Sequence, residues 1–311
     1  MNSVEIIEVS ARDGLQNEKA VFSTEQKLLL IEGAIDAGLR RLEVASFVHP
    51  GRVPQMADAE AVIAGLPDRD DVTYIGLVLN KRGYFRGLAT KEAGKRGIDE
   101  IGCVAIASDT FAGKNQGQTR QESVDIAKDI IRLATKDGLS AQVTVSASFG
   151  CPFEGEISPD IVVDMVKSLA EVNPREIAIA DTIGVGTPNQ VFDLFSALRQ
   201  ALPNMTFRGH FHNTRNTGIA NVWAAYQAGV RIFDSSIGGL GGCPFAPNAT
   251  GNIGTEDLLY MLERSGIETG VSLEKIIALS ASIEPILGRL TPAMVSKAGG
   301  FPQSTKSEIC V

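Results

Sequence analysis

The sequence predicts an α/β fold, a (β/α)8 TIM barrel with extra C-terminal helices, on three observations. Eight short β-rich runs can be counted along the 311 residues. Between them, longer stretches repeat apolar residues at spacings of three and four, the period of an amphipathic helix. The β-rich runs are mostly continuous in apolar residues, as strands covered on both faces of a parallel sheet are, and eight such βα units close into a barrel. A doubly wound open sheet is the alternative. Neither a Walker loop nor a glycine-rich fingerprint joins the first strand to a helix, which disfavours a nucleotide-binding sheet.

In order, the strands are expected at Val4 to Ser10, Arg41 to Ser46, Val72 to Leu79, Ile101 to Ser108, Gln142 to Ser148, Glu176 to Ala180, Thr206 to His212 and Arg231 to Ser235. Helices are expected at Thr24 to Ala37, Gln121 to Lys136, Pro159 to Glu171 and Asn189 to Leu202. Gly38 and Gly138 follow two of them, as C-capping glycines do. Val271 to Leu287 reads as a further helix outside the barrel, so residues 1–290 form one catalytic domain. Residues 291–311, rich in small and polar side chains, are expected to be a mobile tail.

A composition of 44% hydrophobic and 21% charged residues is that of an ordinary globular chain with a sizeable core. The net charge of −8 removes the broad attraction that drives nucleic-acid or anionic-membrane binding, so an anionic substrate needs a local cationic pocket. The N-terminus MNSVEIIEVSARDG has neither the basic flank nor the apolar run of a signal peptide, and no apolar stretch reaches membrane-spanning length. The expected location is cytoplasmic. Cys103, Cys151, Cys243 and Cys310 form no CxxC pair, which argues against a zinc ribbon and for reduced thiols.

Active sites of such barrels sit at the C-terminal ends of the strands, where the polar residues gather. Strand one runs into Arg12-Asp13-Gly14, strand two carries Glu43, strand six runs into Asp181-Thr182, and strand seven carries His210 and His212. Alternation along a strand points both histidines one way and Phe211 the other. A short HxH alone is more often two hydrogen-bonded core histidines. With Asp13 and the polar oxygens of GGLGGCPFAPNATGN nearby, the set becomes a mixed N/O site for a divalent cation, Mg²⁺ or Mn²⁺, with Zn²⁺ and Co²⁺ also compatible. Cys243, in a loop with glycines and prolines on either side, is either a small filler or an acid or nucleophile. Cys103 reads as packing inside strand four, Cys151 reads either way, and Cys310 is expected to be exposed. Arg12 beside Asp13 reads as a surface ion pair or as a donor aimed at an oxyanion. Glu43 and Asp181 fit proton relay or an inner salt bridge.

Together, EVSARDGLQNE, LEVASFVHPGRVPQMAD, GCPFEGEISP, ADTIGVGTP, HFHN and GGLGGCPFA followed by TGNIGTEDLLYMLE resemble the 3-hydroxy-3-methylglutaryl-CoA lyase family over roughly Val4 to Leu287. The resemblance implies a metal-dependent TIM barrel that cleaves 3-hydroxy-3-methylglutaryl-CoA to acetyl-CoA and acetoacetate, as in leucine degradation. It implies Asp13, His210, His212 and Asn252 as ligands of the cation and Arg12 as the group that polarises the thioester carbonyl. Cys243 is implied as the essential thiol, Glu43 and Asp181 as aids to proton movement, and Gln16 and Ser46 as neighbours of the substrate. A homodimer acting on an acyl-CoA follows from the same resemblance.

Some residues depart from the family pattern. Arg215 and Asn216 stand where well-known members carry a tyrosine and a glycine, and Thr144 and Ala147 where they carry a tyrosine and a cysteine. These positions select the acyl group, so a related 3-hydroxy-3-substituted acyl-CoA is the alternative substrate. Arg215 is open to three readings: a contact to the substrate carboxylate, a contact to a CoA phosphate, or an exterior cap. A Claisen-type synthase shares the RDG start and the HxH strand but usually carries a long C-terminal extension. A non-catalytic metal- or CoA-binding module is the remaining alternative.

Overall fold

The structure, a computed structural model, describes residues 2–92, 96–242 and 251–302. Cys243 and Cys310 lie outside them. Eight parallel strands form a closed barrel in chain order: β1 (Glu5–Glu8), β2 (Arg41–Ser46), β3 (Thr73–Leu77), β4 (Glu100–Ile106), β5 (Ser140–Ser146), β6 (Ile177–Asp181), β7 (Phe207–Phe211) and β8 (Ile232–Ser235). Closure is the parallel pairing of β1 with β8, Glu5 opposite Ile232 and Glu8 opposite Ser235.

The helices are α1 (Thr24–Asp36), α2 (Ala59–Gly65), α3 (Lys81–Ala89), α4 (Asp109–Gln116), α5 (Arg120–Lys136), α6 (Pro159–Ala170), α7 (Pro188–Ala201), α8 (Gly218–Gln227), α9 (Thr255–Arg264), α10 (Leu273–Leu287) and α11 (Val295–Ala298). Local chemistry sets their starts. Ser23 with Gln26 and Thr119 with Glu122 form capping boxes, each satisfying two of the amide groups a helix N-terminus leaves unpaired. Pro159 and Pro188 open α6 and α7 with a preset φ. Past α1, Gly38 takes a φ of +114°, and a Cβ there would meet the carbonyl oxygen of Gly270 at 2.4 Å.

Strand ends differ from expectation by a residue or two, and two differences matter. The first strand stops at Glu8 because its buried carboxylate accepts the amides of Ser10 and Ile237, and the chain then coils into a π-helical turn, Ser10–Gly14. β7 stops at Phe211, leaving His212 just past the sheet in an isolated bridge to Asn252. The expected alternation holds. Phe211 is fully buried outside the barrel against Phe195, ring centroids 6.5 Å apart, so Phe211→Ala is expected to cost about 3–5 kcal/mol.

The barrel's inside is less apolar than its strands suggest. Ile7, Val9 and Ile75 with Ile232 fill one side. The other holds an ionic ladder: Arg41 bonds Glu100 at 2.7 Å and Glu176 at 3.1 Å, Arg208 bonds Glu176 at 2.7 Å, and Arg208 pairs with Asp234 at 3.2 Å. Arg41 on β2 and Glu176 before β6 sit on opposite walls, so they meet only through the lumen. The residues after Leu290 are anchored rather than loose over their described part: Thr291 is buried, and its amide and hydroxyl both bond Glu284.

Candidate active site

A cavity of about 550 Å³ opens at the C-terminal ends of the strands. The turn after β1 supplies Arg12, Asp13 and Gln16, β2 supplies Glu43, β5 supplies Thr144 and Ser146, β7 and its exit supply His210 and His212, and β8 supplies Asp234. Five strands contribute them to one end because the barrel points every strand the same way. Residues far apart in sequence therefore share one rim.

Among the described residues, Asp13, His210 and His212 bring one ligand atom each to within 4.8 Å of one another. The histidine rings lie 5.2 Å apart. His210 Nδ1 is 3.0 Å from Asp234 Oδ2, a contact that sets the tautomer and leaves Nε2 as the free donor. His212 Nδ1 is buried with no hydrogen-bond partner. Burial and the neighbouring His210 push His212 down to about 4, so its ring is neutral at ordinary pH. For His210, burial acts downward, but Asp234 and Asp13 raise it overall. Burial also opposes ionisation of Asp13, yet Arg12 and both histidines hold its carboxyl well below the usual carboxylate range. Two imidazoles, one ionised carboxylate and an orphaned ring nitrogen suit a divalent cation.

Arg12 Nη1 bonds Asp13 at 2.6 Å, and its Nε bonds Glu43. Burial raises the Glu43 carboxyl despite that cation. Arg12 is therefore no surface pair, and with Glu43 it forms the inner salt bridge, which lines the cavity.

Other expected site residues sit differently. Asn252 donates Nδ2 to Asp13 Oδ2 at 2.8 Å and to the Leu240 carbonyl at 3.0 Å, so its amide nitrogen faces the cluster. Asp181 does not line the cavity. It accepts the amides of Val185 and Gly186, both at 2.9 Å, and pins the loop after β6. Ser46 is buried outside the cavity with an unpartnered hydroxyl, whereas Gln16 lines it. Arg215 is exposed and donates to the carbonyls of Ile183 and Gly184, so it ties a loop. Asn216 has a φ of +58°, the left-handed region glycine favours and asparagine tolerates. Ala147 shares that φ, and its amide donates to Thr182 Oγ1. Thr144 faces the cavity and accepts from Arg208 at 3.3 Å. Cys151 is buried and receives the Ser108 hydroxyl at 3.0 Å, and burial pushes the Cys103 thiol up to about 12.

Sequence reasoning missed Asp234, Ser146 and the cationic rim of a neighbouring cavity. The signal for Asp234 was present: it stands two residues after Ile232, in phase with it, so it shares the lumen face. The second cavity, about 670 Å³, shares Val48, Arg52, Leu79, Asn115 and Gln116 with the first and adds His49, Arg82 and Arg86.

Residues 3–283 match the family model described as HMGL-like. The (R)-citramalyl-CoA lyase of Chloroflexus aurantiacus is 39% identical, with 97% of each chain covered. The hydroxymethylglutaryl-CoA lyase of Pseudomonas mevalonii is 40% identical over 93% of this chain and 94% of its own. A solved HMG-CoA lyase from Acinetobacter baumannii, in complex with coenzyme A and 3-methylmalate, superposes with a TM-score of 0.91 at 37% identity, covering 99% of this chain and 98% of its own. Among the described residues, no helix is long and apolar enough to cross a membrane. The model match, these identities and the shared barrel place the chain in the HMGL-like family, the enzyme family of the HMG-CoA lyases.

Proposed function

We propose that the chain is a divalent-metal-dependent carbon–carbon lyase that cleaves 3-hydroxy-3-methylglutaryl-CoA to acetyl-CoA and acetoacetate. The observation that carries the reading is the convergence of Asp13, His210 and His212 beside the Arg12–Glu43 pair at the barrel mouth. Mg²⁺ or Mn²⁺ would be held by these three, and Asn252 would give up its bond to Asp13 and keep the one to the Leu240 carbonyl as it turns its amide oxygen in as a fourth ligand. Such an ion, when bound, eases loss of the tertiary hydroxyl proton.

The chain's own groups supply the rest. Glu43, raised by burial, is suited to take up the hydroxyl proton; its partner Arg12 offers a guanidinium to the thioester carbonyl. As the C2–C3 bond breaks, its electrons pass to C2 as an enolate, and a cation at the carbonyl oxygen stabilises that charge. Proton delivery to C2 then gives the methyl group of acetyl-CoA, the role proposed for the Cys243 thiol. Asp181 would serve indirectly, by fixing the loop that follows β6. Gln16 borders the acyl group, and Ser46 supports the wall from behind.

The adjoining cavity supports an acyl-CoA. Arg52 and Arg82, beside an Arg86 that is paired with Glu60, give it the local positive charge that a chain of net charge −8 must concentrate to hold CoA phosphates. The coenzyme A in the Acinetobacter structure supports the same class. A second reading, (R)-citramalyl-CoA cleaved to acetyl-CoA and pyruvate, has support in the Chloroflexus relative, whose 39% identity lies within two percentage points of the 39–41% of the HMG-CoA lyases. That substrate carries its carboxylate one methylene closer to the hydroxyl. Steady-state cleavage of both thioesters with and without Mg²⁺ or Mn²⁺ tests the proposal: faster acetoacetate release supports the first reading, faster pyruvate release the second, and metal-independent turnover neither. A homodimer in a cytoplasmic setting completes the reading, and sedimentation equilibrium tests the dimer.

A further inference from the structure

We propose that the C-terminal segment Thr291–Ser296 is a brace that positions the metal-side rim of the barrel, with Glu256 and Ala293 as its positioning residues. The inference rests on the metal reading of Asp13, His210 and His212.

The peptide of Gly238 is clamped from both sides. Its amide donates to Glu256 Oε2 at 3.0 Å, and its carbonyl accepts the Ala293 amide at 3.1 Å. The segment is itself fastened by carboxylates: Glu284 accepts the Thr291 amide at 2.9 Å, Asp257 accepts the amides of Met294 and Val295 at 3.0 and 2.7 Å, and Glu256 accepts the Ser296 hydroxyl. Two glycines make room for this docking. A Cβ on Gly238, whose φ is +71°, would meet Thr291 Cγ2 at 2.6 Å, and one on Gly254 would meet Ala293 Cβ at 2.8 Å.

From Gly238 the contacts run to the cluster without a gap. The turn Ile237–Gly239 ends at Leu240, whose carbonyl accepts Asn252 Nδ2 at 3.0 Å. The same nitrogen donates to Asp13 Oδ2 at 2.8 Å. Ser236 and Ile253 are locked together by an amide-to-carbonyl bond of 3.0 Å, so the two sides of the rim move as one. Glu256 and Ala293 touch neither the cavity nor its ligands, yet their bonds decide where Leu240 and Asn252 sit. Groups that orient metal ligands in this way typically change affinity by roughly 10- to 100-fold when removed.

The test measures Mn²⁺ affinity by electron paramagnetic resonance, with kcat and KM, on the full-length chain and on Glu256→Ala, Glu256→Gln, Ala293→Pro and His210→Ala, well below each melting temperature. Ala293→Pro removes the donor and sets a ring carbon against the Gly238 carbonyl, so it breaks the same contact without touching Glu256 and remains informative if Glu256→Ala does not fold. The expected result is Mn²⁺ affinity weakened by roughly 10-fold in Ala293→Pro and Glu256→Ala. Near-native affinity is expected in Glu256→Gln, whose amide oxygen still accepts from Gly238, and excess Mn²⁺ should recover kcat in the weakened variants. A merely structural contribution would lower the melting temperature and leave affinity unchanged. If the unsubstituted chain binds Mn²⁺ and His210→Ala does not, but the brace variants bind as tightly as the unsubstituted chain, the brace is overturned alone. If the unsubstituted chain binds no Mn²⁺, the metal reading fails and takes the brace with it.

Discussion

At the base of the barrel, Arg41 and Arg208 face Glu100 and Glu176; at the mouth, Arg12 faces Glu43 and Asp13 beside two histidines. The residue types are alike, but their surroundings differ. In the ladder, Glu176 is gripped by two guanidinium groups, and Glu100 is held by Arg41, Arg175 and Ser140. At the mouth, His212 keeps an unpartnered ring nitrogen, and burial raises Glu43 against the pull of Arg12. Carboxylates gripped by more than one partner hold a structure in place, even though Arg41 Nε makes no hydrogen bond, whereas an unpartnered nitrogen and a raised carboxyl next to a cavity remain available to a substrate or ion.

The sharpest break of this comparison is His210→Ala, which is expected to abolish Mn²⁺ binding and turnover while the melting temperature shifts by only a few degrees; titration calorimetry beside a thermal melt checks it. Arg41→Met should do the reverse, because it takes one of two guanidinium partners from each of the buried Glu100 and Glu176. Denaturant unfolding is expected to show a loss of about 3–5 kcal/mol, with kcat per folded molecule unchanged.

Glu8 is a third kind of buried acid, with hydroxyl and amide partners but no cation within the contacts described. Burial raises it from 4.5 to about 7. A carboxyl raised in the folded state contributes stability below its unfolded value and loses that contribution as pH rises through its folded value. Stability should therefore fall between about pH 4.5 and 7, by roughly 3 kcal/mol at most. Glu8→Gln should flatten that slope in melting temperatures recorded across the same range. The smallest effect is expected where the two regions join: Asp234 contacts both Arg208 and His210. Asp234→Asn should weaken Mn²⁺ binding by about 10- to 100-fold by loosening the His210 tautomer, and a persisting native affinity would detach the ladder from the metal site.

Much of the barrel was legible because strand and helix periods are local properties. The bounds of β2 match the sequence reading, and the lumen-facing phase of His210 and His212 follows from alternation alone. The ladder was harder to see. Arg41 and Glu176 are 135 positions apart and become neighbours only through closure of the sheet. Asp181 shows the opposite limit: an acid at a strand end looks poised for chemistry, but the direction of its side chain depends on the next loop, whose amides donate to it. The described start of the tail was hidden for a similar reason. Small polar residues such as Thr291 and Ser296 suggest freedom until Glu284 and Glu256 are known to wait for them.

The pairing of β1 with β8 carries a consequence for how the chain is made. Glu5 finds its partner Ile232 only after most of the polypeptide has been synthesised, so the first strand leaves the ribosome with one hydrogen-bonding edge open. Until Ser235 has emerged, the growing sheet is an unclosed ribbon with two bare margins, the form in which it is most exposed to pairing with a neighbouring chain. Sealing the cylinder therefore belongs to the last stage of synthesis, and the strand translated first is among the last to be fully enclosed.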